Sequence, residues 1–267
     1  MPAYVCVPED YRTHAVSSMI LIAIVKVIAS KHRRTNSRTQ PLIDIDAFPF
    51  SGIQEPVSCL THLLAAPMFA ILGYFLVQRG RGNWGRTFSL AVMVVSTVFL
   101  LSVSGVYHLL GPGAGRDVML QLDVAGIFAL IAGTVTPVHA ILFRGFNRWA
   151  PLLLVWSAAV VGITLTTISR DRIAPGVGTE TFLLMGWGGL ISCILLWNRF
   201  GFLFVRPLIL GGVAYTAGAV ILSLKLPPLV PGLIRAHELW HVAVLFGLGL
   251  HWKFVFQFAS GSPEADR

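Results

Sequence analysis

Long apolar segments, separated by short polar connections, most constrain what this chain can fold into. Each has roughly the 17–25 residues that an α-helix needs to cross the hydrocarbon core of a bilayer. Because backbone polar groups inside a bilayer must be bonded within the segment or within a closed barrel, apolar runs of this length predict helices. We therefore predict an all-α integral membrane protein, a bundle of seven transmembrane helices. The predicted spans are about 56–77, 88–110, 120–143, 149–168, 181–197, 206–224 and 233–258.

The composition supports a membrane location. Hydrophobic residues make up 55% of the chain and charged residues only 12%, whereas a soluble domain is about a quarter charged. The net charge of +8 does not predict nucleic-acid binding, because the Lys and Arg side chains lie mostly in short loops between apolar runs. We expect a multi-pass protein of the plasma membrane, or of the inner membrane if the source is bacterial. Its predicted partner is the lipid bilayer, and the sequence carries no signal for an oligomeric state.

Both ends of the chain are predicted to lie outside the bundle. Residues 1–55 contain a short apolar run, 15–25, and then a basic cluster, 31–38. Because a run of this length is too short to cross a bilayer, we interpret 1–55 as a cytosolic or interfacial N-terminal tail, and its apolar run is a candidate for an interfacial helix. The alternative is a signal peptide, which the acidic residues Glu9 and Asp10 before the run disfavour. Residues 56–259 form the predicted seven-helix domain and 260–267 a C-terminal tail.

Two histidines, His237 and His241, open the last apolar segment within the sequence His-Glu-Leu-Trp-His. Four positions apart, they lie on one face of a helix, so both imidazoles can reach one metal ion. The pattern HExxH is a zinc signature on helices, and ionisable side chains at membrane depth are costly and usually functional. The alternative is a pair of interfacial histidines that contact water and lipid headgroups.

Helices of alternating direction bring further polar residues to the same end of the bundle. His108 ends the second predicted helix and Asp123 begins the third, on the side where His237 and His241 begin the seventh. Three histidine nitrogens and a carboxylate are a ligand set for zinc, and a zinc site that keeps one position for water is catalytic in type. Ser104 shares the helix face of His108 and is predicted to serve the same site. The alternatives are that Ser104 bonds its own helix backbone and that Asp123 caps the third helix.

Other ionisable residues are predicted to have supporting roles. Glu55 lies at the same end and is predicted to be an outer partner of the site. His62 lies roughly 10 Å deeper at about 1.5 Å per residue, so we interpret it as a structural hydrogen-bonding residue. The same rise places His139 and His251 too far away to be ligands of this site.

These residues together resemble the haemolysin III family, within the larger group of progestin/adipoQ receptors and alkaline ceramidases. The resemblance covers about residues 50–258. Ser58 and Val124 depart from it, because the family usually has Asn at the first position and bacterial members often have His at the second. The motifs that carry the resemblance are Glu55 with Thr61-His62, Ser104-Gly-Val-Tyr-His108, Asp123 with Gly133-Thr-Val-Thr-Pro137, and His237 to His241.

The resemblance implies a seven-helix bundle in which the three histidines, His108, His237 and His241, bind zinc. It further implies that Asp123 holds a zinc-bound water or ligates the metal directly. Some relatives hydrolyse the amide of ceramides, and the name haemolysin reflects a lytic activity.

Two functions agree with these observations. The first is a zinc-dependent intramembrane hydrolase of a lipid amide or ester, in which Asp123 orients or deprotonates water and Ser104 stabilises the oxyanion. Glu238 is a weaker candidate for the base, because it is not on the face of the two histidines. The alternative is a receptor-like or lytic protein without enzymatic activity, in which zinc is structural and a fourth protein ligand closes its coordination site.

Two other kinds of site are disfavoured. An intramembrane protease needs a further ligand after HExxH, and only His251 follows, too far away. A haem-binding histidine pair is disfavoured because three histidines with an acid favour zinc.

Overall fold

The computed structural model describes residues 53–168, 177–224, 229–230 and 233–263, all within one compact unit, 45–267. The interfacial helix predicted for the N-terminal tail lies outside the described residues, as does most of that tail. The described helices are, in chain order, α1 (Pro56–Arg79), α2 (Trp84–Leu109), α3 (Ala114–Leu142), α4 (Phe146–Ile168), α5 (Val177–Trp187), α6 (Leu190–Phe200), α7 (Phe202–Leu224) and α8 (Ala236–Phe256).

The described part of the chain contains seven helical segments that are long and apolar enough to cross a bilayer. Six are single helices, and the seventh, Thr181–Phe200, combines most of α5 with α6. The chain turns at Gly188 and Gly189 between those two helices, where the Gly188 N–H donates to the Leu184 carbonyl at 3.0 Å. The predicted all-α bundle of seven membrane spans is confirmed, and the protein is a multi-pass integral membrane protein.

Several helices begin earlier than the apolar pattern predicted, and two of these starts have a visible local cause. α2 begins at Trp84 rather than near 88, because the Asn83 side chain accepts a hydrogen bond from the Arg86 N–H and caps the helix. α3 begins at Ala114 rather than near 120, with Asp117 in its first turn, where an acidic group is favourable. Hydropathy alone misses such starts because the first turn of each helix carries polar residues.

Neighbouring helices along the chain pack against each other, and α8 packs back against α1. Small residues allow the close approach: a Cβ on Gly105 of α2 would lie only 2.6 Å from the Leu63 Cγ of α1. Trp252 of α8 stacks edge-on against Phe69 of α1 at 4.8 Å and donates to the Thr97 hydroxyl of α2 at 3.3 Å. α1, α2 and α8 therefore form one packed group, and these are the helices on which the candidate site is built.

The outer surface of the bundle is apolar. Large aliphatic and aromatic side chains remain exposed on several helices, as expected where a helix faces lipid rather than water. Examples are Leu64, Leu154, Ile191 and Leu203.

Candidate metal centre

The structure brings together His108 from the end of α2 with His237 and His241 from the start of α8. One nitrogen of each residue lies within 4.8 Å of the others. The Nε2 atom of His237 lies 3.0 Å from Nε2 of His241 and 3.5 Å from Nε2 of His108. His108 and His241 are buried and His237 is half-buried. Three imidazoles whose Nε2 atoms converge in this way can hold one metal ion.

The start of α8 fixes how its two histidines are positioned around the helix axis. The Glu238 carboxylate accepts a hydrogen bond from the Arg235 N–H at 2.8 Å, which makes the capping interaction of this helix. Its other oxygen accepts from the Ser58 hydroxyl of α1 at 3.3 Å and lies 3.5 Å from the Arg235 guanidinium. Glu238 is buried among these partners. Its carboxylate is engaged in capping α8 and in the contact between α1 and α8, which disfavours a role as a base.

Glu55, directly before α1, joins this helix to the end of α2. Its N–H donates to the His108 carbonyl at 3.1 Å, and its Oε2 lies 2.7 Å from Nδ1 of His108. Its Oε1 accepts from the Arg116 guanidinium at 2.6 Å. Burial raises the pKa of the Glu55 carboxyl, but the hydrogen bond and charge of His108 and the hydrogen bond from Arg116 outweigh it and lower the pKa to about 2. Glu55 therefore contacts His108 directly, whereas its role as an outer partner of a metal site stays a prediction.

Asp123 and Ser104 lie beside His108. The Asp123 carboxyl hydrogen-bonds the Ser104 hydroxyl and interacts electrostatically with His108. Ser104 is 1% exposed and lies one turn before His108 on α2. The group of nitrogens that lie within 4.8 Å of one another is formed by the histidines, and Asp123 is outside it. The alternative that Asp123 caps its helix is wrong, because α3 begins at Ala114, more than two turns earlier.

His62 lies closer to the site than the helix rise indicated. Its ring is 3% exposed and contacts the His241 ring, with centroids 4.1 Å apart. The His241 Nδ1 lies 2.8 Å from Nε2 and 3.3 Å from Nδ1 of His62. The rise estimates depth along one helix axis, but His241 itself lies one turn inside α8 and its ring extends towards α1. The interpretation of His62 as a hydrogen-bonding residue agrees with this contact.

The other two membrane-depth histidines are engaged elsewhere. His139 on α3 has Nδ1 2.8 Å from the Asn147 carbonyl and Nε2 3.0 Å from the Ser192 hydroxyl. His251 on α8 packs against Tyr215 of α7, with ring centroids 5.3 Å apart. Neither belongs to the group of three.

Sequence reasoning missed two contacts of the site. The Ser58–Glu238 hydrogen bond and the His62–His241 contact both join α1 to α8. A signal for the second was present, because Glu55 and His62 are seven positions apart, a spacing that places two residues on the same side of a helix. The sequence did not indicate that this whole face turns towards the histidines.

The donor set fits a zinc ion. Zinc is commonly held by imidazole nitrogen, and its open sites have three protein ligands. Calcium and magnesium prefer oxygen ligands, so three converging imidazoles do not suit them. The fit rests on donor type, convergence and burial of these side chains.

The fold and the cluster define a class of protein: a multi-pass membrane protein whose helices enclose a group of histidines near one end of the bundle. The chain belongs to the haemolysin III family, since residues 50–252 match the family described as Haemolysin-III related.

Relatives in bacteria and plants agree with this assignment. The chain is 28% identical over 202 residues to "Hemolysin-3 homolog" of Bacillus subtilis (strain 168), a match that covers 74% of this chain and 91% of that protein. It is 28% identical over 199 residues to "Hemolysin-3" of Bacillus cereus, covering 73% and 86% of the two chains. "Heptahelical transmembrane protein 5" of Arabidopsis thaliana is 29% identical over 172 residues, covering 58% of this chain and 46% of that protein.

Proposed function

We propose that this protein is a zinc-dependent intramembrane hydrolase that cleaves a lipid amide or ester, in the manner of a ceramidase. The observation that carries the proposal is the convergence of three imidazole Nε2 atoms beside a carboxyl–hydroxyl pair that is outside their group. His108, His237 and His241 would hold a zinc ion, which would supply Lewis acidity to polarise a carbonyl and lower the pKa of water.

Asp123 is the proposed base. Its carboxyl lies close enough to His108 to interact with it, yet it is not one of the clustered donors, so it is available to accept a proton from the attacking water. Ser104 hydrogen-bonds Asp123 and thereby orients the carboxylate. This contact favours an orienting role for Ser104 over stabilisation of an oxyanion.

The position of the site supports a lipid substrate. His108 is the penultimate residue of α2, and His237 is the second residue of α8, so the cluster lies near the ends of two membrane spans. The amide or ester of a membrane lipid lies at this level, between its polar headgroup and its acyl chains. The exposed apolar surfaces of the bundle are suited to contact those chains.

The second candidate function is a non-enzymatic membrane protein, receptor-like or lytic, with structural zinc. This function is favoured because the cluster takes one histidine from α2 and two from α8, so a metal ion there would cross-link helices that are far apart in the sequence. One relative is named "Hemolysin-3", which agrees with a lytic function for that protein, and another is named "Hemolysin-3 homolog".

The Asp123→Asn variant separates the two functions. If Asp123 is the base, zinc stays bound and lipid amidase or esterase activity falls about 10²- to 10⁴-fold, the range typical of lost acid–base catalysis. If Asp123 instead ligates structural zinc, metal content and melting temperature fall together, because metal binding is then coupled to folding. Zinc content, hydrolase activity and melting temperature are all measured on one preparation.

Asp117→Asn is the matched control, since it makes the same change on an exposed residue of the same helix. It should leave zinc content and activity unchanged. Loss of zinc and a lowered melting temperature in Asp123→Asn, with no hydrolysis by the unsubstituted protein, would contradict the hydrolase.

A further inference from the structure

We propose that α1 and the residue before it orient the metal-facing imidazoles, with Glu55 bound to Nδ1 of His108 and His62 bound to Nδ1 of His241. The inference rests on the proposed metal site and assigns Glu55 and His62 as positioning residues. Neither is in the group of nitrogens that faces the metal position.

The two nitrogens of each imidazole are used differently in this arrangement. The Nε2 atoms of His108 and His241 both face Nε2 of His237, at 3.5 and 3.0 Å. Their Nδ1 atoms face away, towards α1 and the residue that precedes it. A neutral imidazole that binds a metal through one nitrogen carries its proton on the other, and the partner of that N–H fixes the tautomer and the ring orientation.

Glu55 provides such a partner for His108. The Glu55 carboxylate, which accepts from Arg116 through Oε1, lies 2.7 Å from Nδ1 of His108 through Oε2 and acts there as an acceptor, so it holds the proton on Nδ1 and leaves the Nε2 lone pair facing the cluster. The carboxylate is itself held by Arg116 at 2.6 Å, and Arg116 also donates to the Leu110 carbonyl at 2.6 Å. The backbone bond from Glu55 to the His108 carbonyl adds a second connection to the same residue.

His62 provides the partner for His241. Its Nε2 lies 2.8 Å from Nδ1 of His241, within hydrogen-bonding distance, and both rings are buried. The neighbouring contact between Ser58 and Glu238 keeps α1 and α8 in register one turn earlier along α1. A neutral His62 ring that accepts from Nδ1–H leaves Nε2 of His241 free for the metal.

The test compares zinc affinity in purified full-length variants by competition with a chelator. His62→Leu removes the acceptor and should weaken zinc binding roughly 10- to 100-fold, the range for loss of an outer partner of a metal ligand. His62→Gln keeps an acceptor oxygen and should recover most of that loss. His139→Leu is the matched control, because it removes a buried, hydrogen-bonded histidine outside the cluster and should leave zinc affinity unchanged.

X-ray absorption at the zinc edge counts the imidazoles around the metal and distinguishes positioning from ligation. The number should be the same in the unsubstituted protein and in His62→Leu. Loss of one imidazole in that variant would make His62 a ligand and overturn the proposal. Equal zinc affinity in His62→Leu and the unsubstituted protein would also overturn it, as would a His62→Gln variant that binds as weakly as His62→Leu.

Glu55→Gln provides a second variant if His62→Leu does not fold. It keeps the shape of the side chain but removes the charge, so zinc affinity should fall while the number of imidazoles around the metal stays constant. Unchanged zinc affinity would contradict the role of Glu55.

The same measurements distinguish this proposal from the proposed hydrolase. A protein that binds zinc but hydrolyses no lipid would contradict the hydrolase alone, and the comparison of zinc affinities would stand. An unsubstituted protein that binds no zinc would overturn both proposals.

Discussion

At the scale of single residues, the site depends on which nitrogen of each imidazole faces the cluster. His108, His237 and His241 converge through Nε2, whereas Nδ1 of His108 and His241 contacts α1 or the residue before it. Histidines elsewhere at membrane depth bond backbone, hydroxyl or aromatic groups, as His139 does. The same residue type therefore serves two purposes in this bundle, and substitution should separate them.

The double variant His237→Ala/His241→Ala should contain little zinc. It removes two of the three converging nitrogens, and a single imidazole cannot hold zinc tightly in competition with water. Metal analysis of the purified protein, expressed as zinc per chain, measures the effect against the single zinc ion expected in the unsubstituted protein. Full zinc occupancy in the double variant would show that the metal is bound elsewhere.

His139→Ala and His251→Ala should each keep one zinc per chain. Their melting temperatures should fall, because removal of a ring packed among neighbouring helices leaves a cavity. Metal analysis and thermal unfolding on the same samples separate the two effects. Loss of zinc from a folded His251→Ala protein would mean that α8 lies in a different register.

At the scale of elements, the distance between α1 and α2 depends on Gly105. A Cβ at this position would lie 2.6 Å from the Leu63 Cγ and 3.1 Å from the Leu63 backbone nitrogen. The flexible end of Leu63 can yield, but the backbone atom cannot without a shift of α1. Gly105 is one turn before His108, so such a shift acts directly on the contact between His108 and Glu55.

Gly105→Ala should lower the free energy of unfolding by about 1–3 kcal/mol, the usual cost of overpacking. Zinc affinity should fall in the same variant, because the Glu55–His108 contact lengthens as the helices separate. Gly212→Ala on α7 is the control, since its Cβ would meet nothing within 4 Å and alanine favours the helix. Zinc affinity that is equal in the two variants would contradict the link between helix spacing and the site.

At the scale of the whole molecule, the cluster connects parts of the chain that are far apart in sequence. His108 and His237 are separated by 129 positions, and Glu55, which contacts Nδ1 of His108, directly precedes α1. A ligand that binds only the folded state stabilises it by mass action, by about 2.7 kcal/mol at 100 times its dissociation constant. A metal ion at this position should therefore stabilise the bundle as a unit.

Removal of zinc by a chelator should lower the melting temperature of the detergent-solubilised protein, and addition of zinc should restore it. The double variant His237→Ala/His241→Ala should not respond to either treatment, because it lacks the converging nitrogens. Thermal unfolding with chelator and with added zinc measures both. An equal response of the double variant would assign the stabilisation to a different metal site.

Much of the fold follows from the sequence because a bilayer permits few structures. The lengths of the apolar runs predict the seven spans, and alternation of their directions predicts that His108, Asp123, His237 and His241 share one end. Polar side chains at the same depth and the same end of a bundle avoid the surrounding lipid by facing its interior. The convergence of the histidines could therefore be anticipated.

Tertiary structure alone decided the rotation of each helix and the direction of each side chain. Helix rise gives depth along an axis, but not the turn of α1 that places His62 2.8 Å from His241. Hydropathy gives the length of the fifth span, but not the turn at Gly188 and Gly189 that separates α5 from α6. The early start of α3 depends on a polar first turn, and it places Asp123 inside the helix. The rotation of α1 that brings His62 to His241 arises from contacts between segments distant in the chain, which no local pattern of residues records.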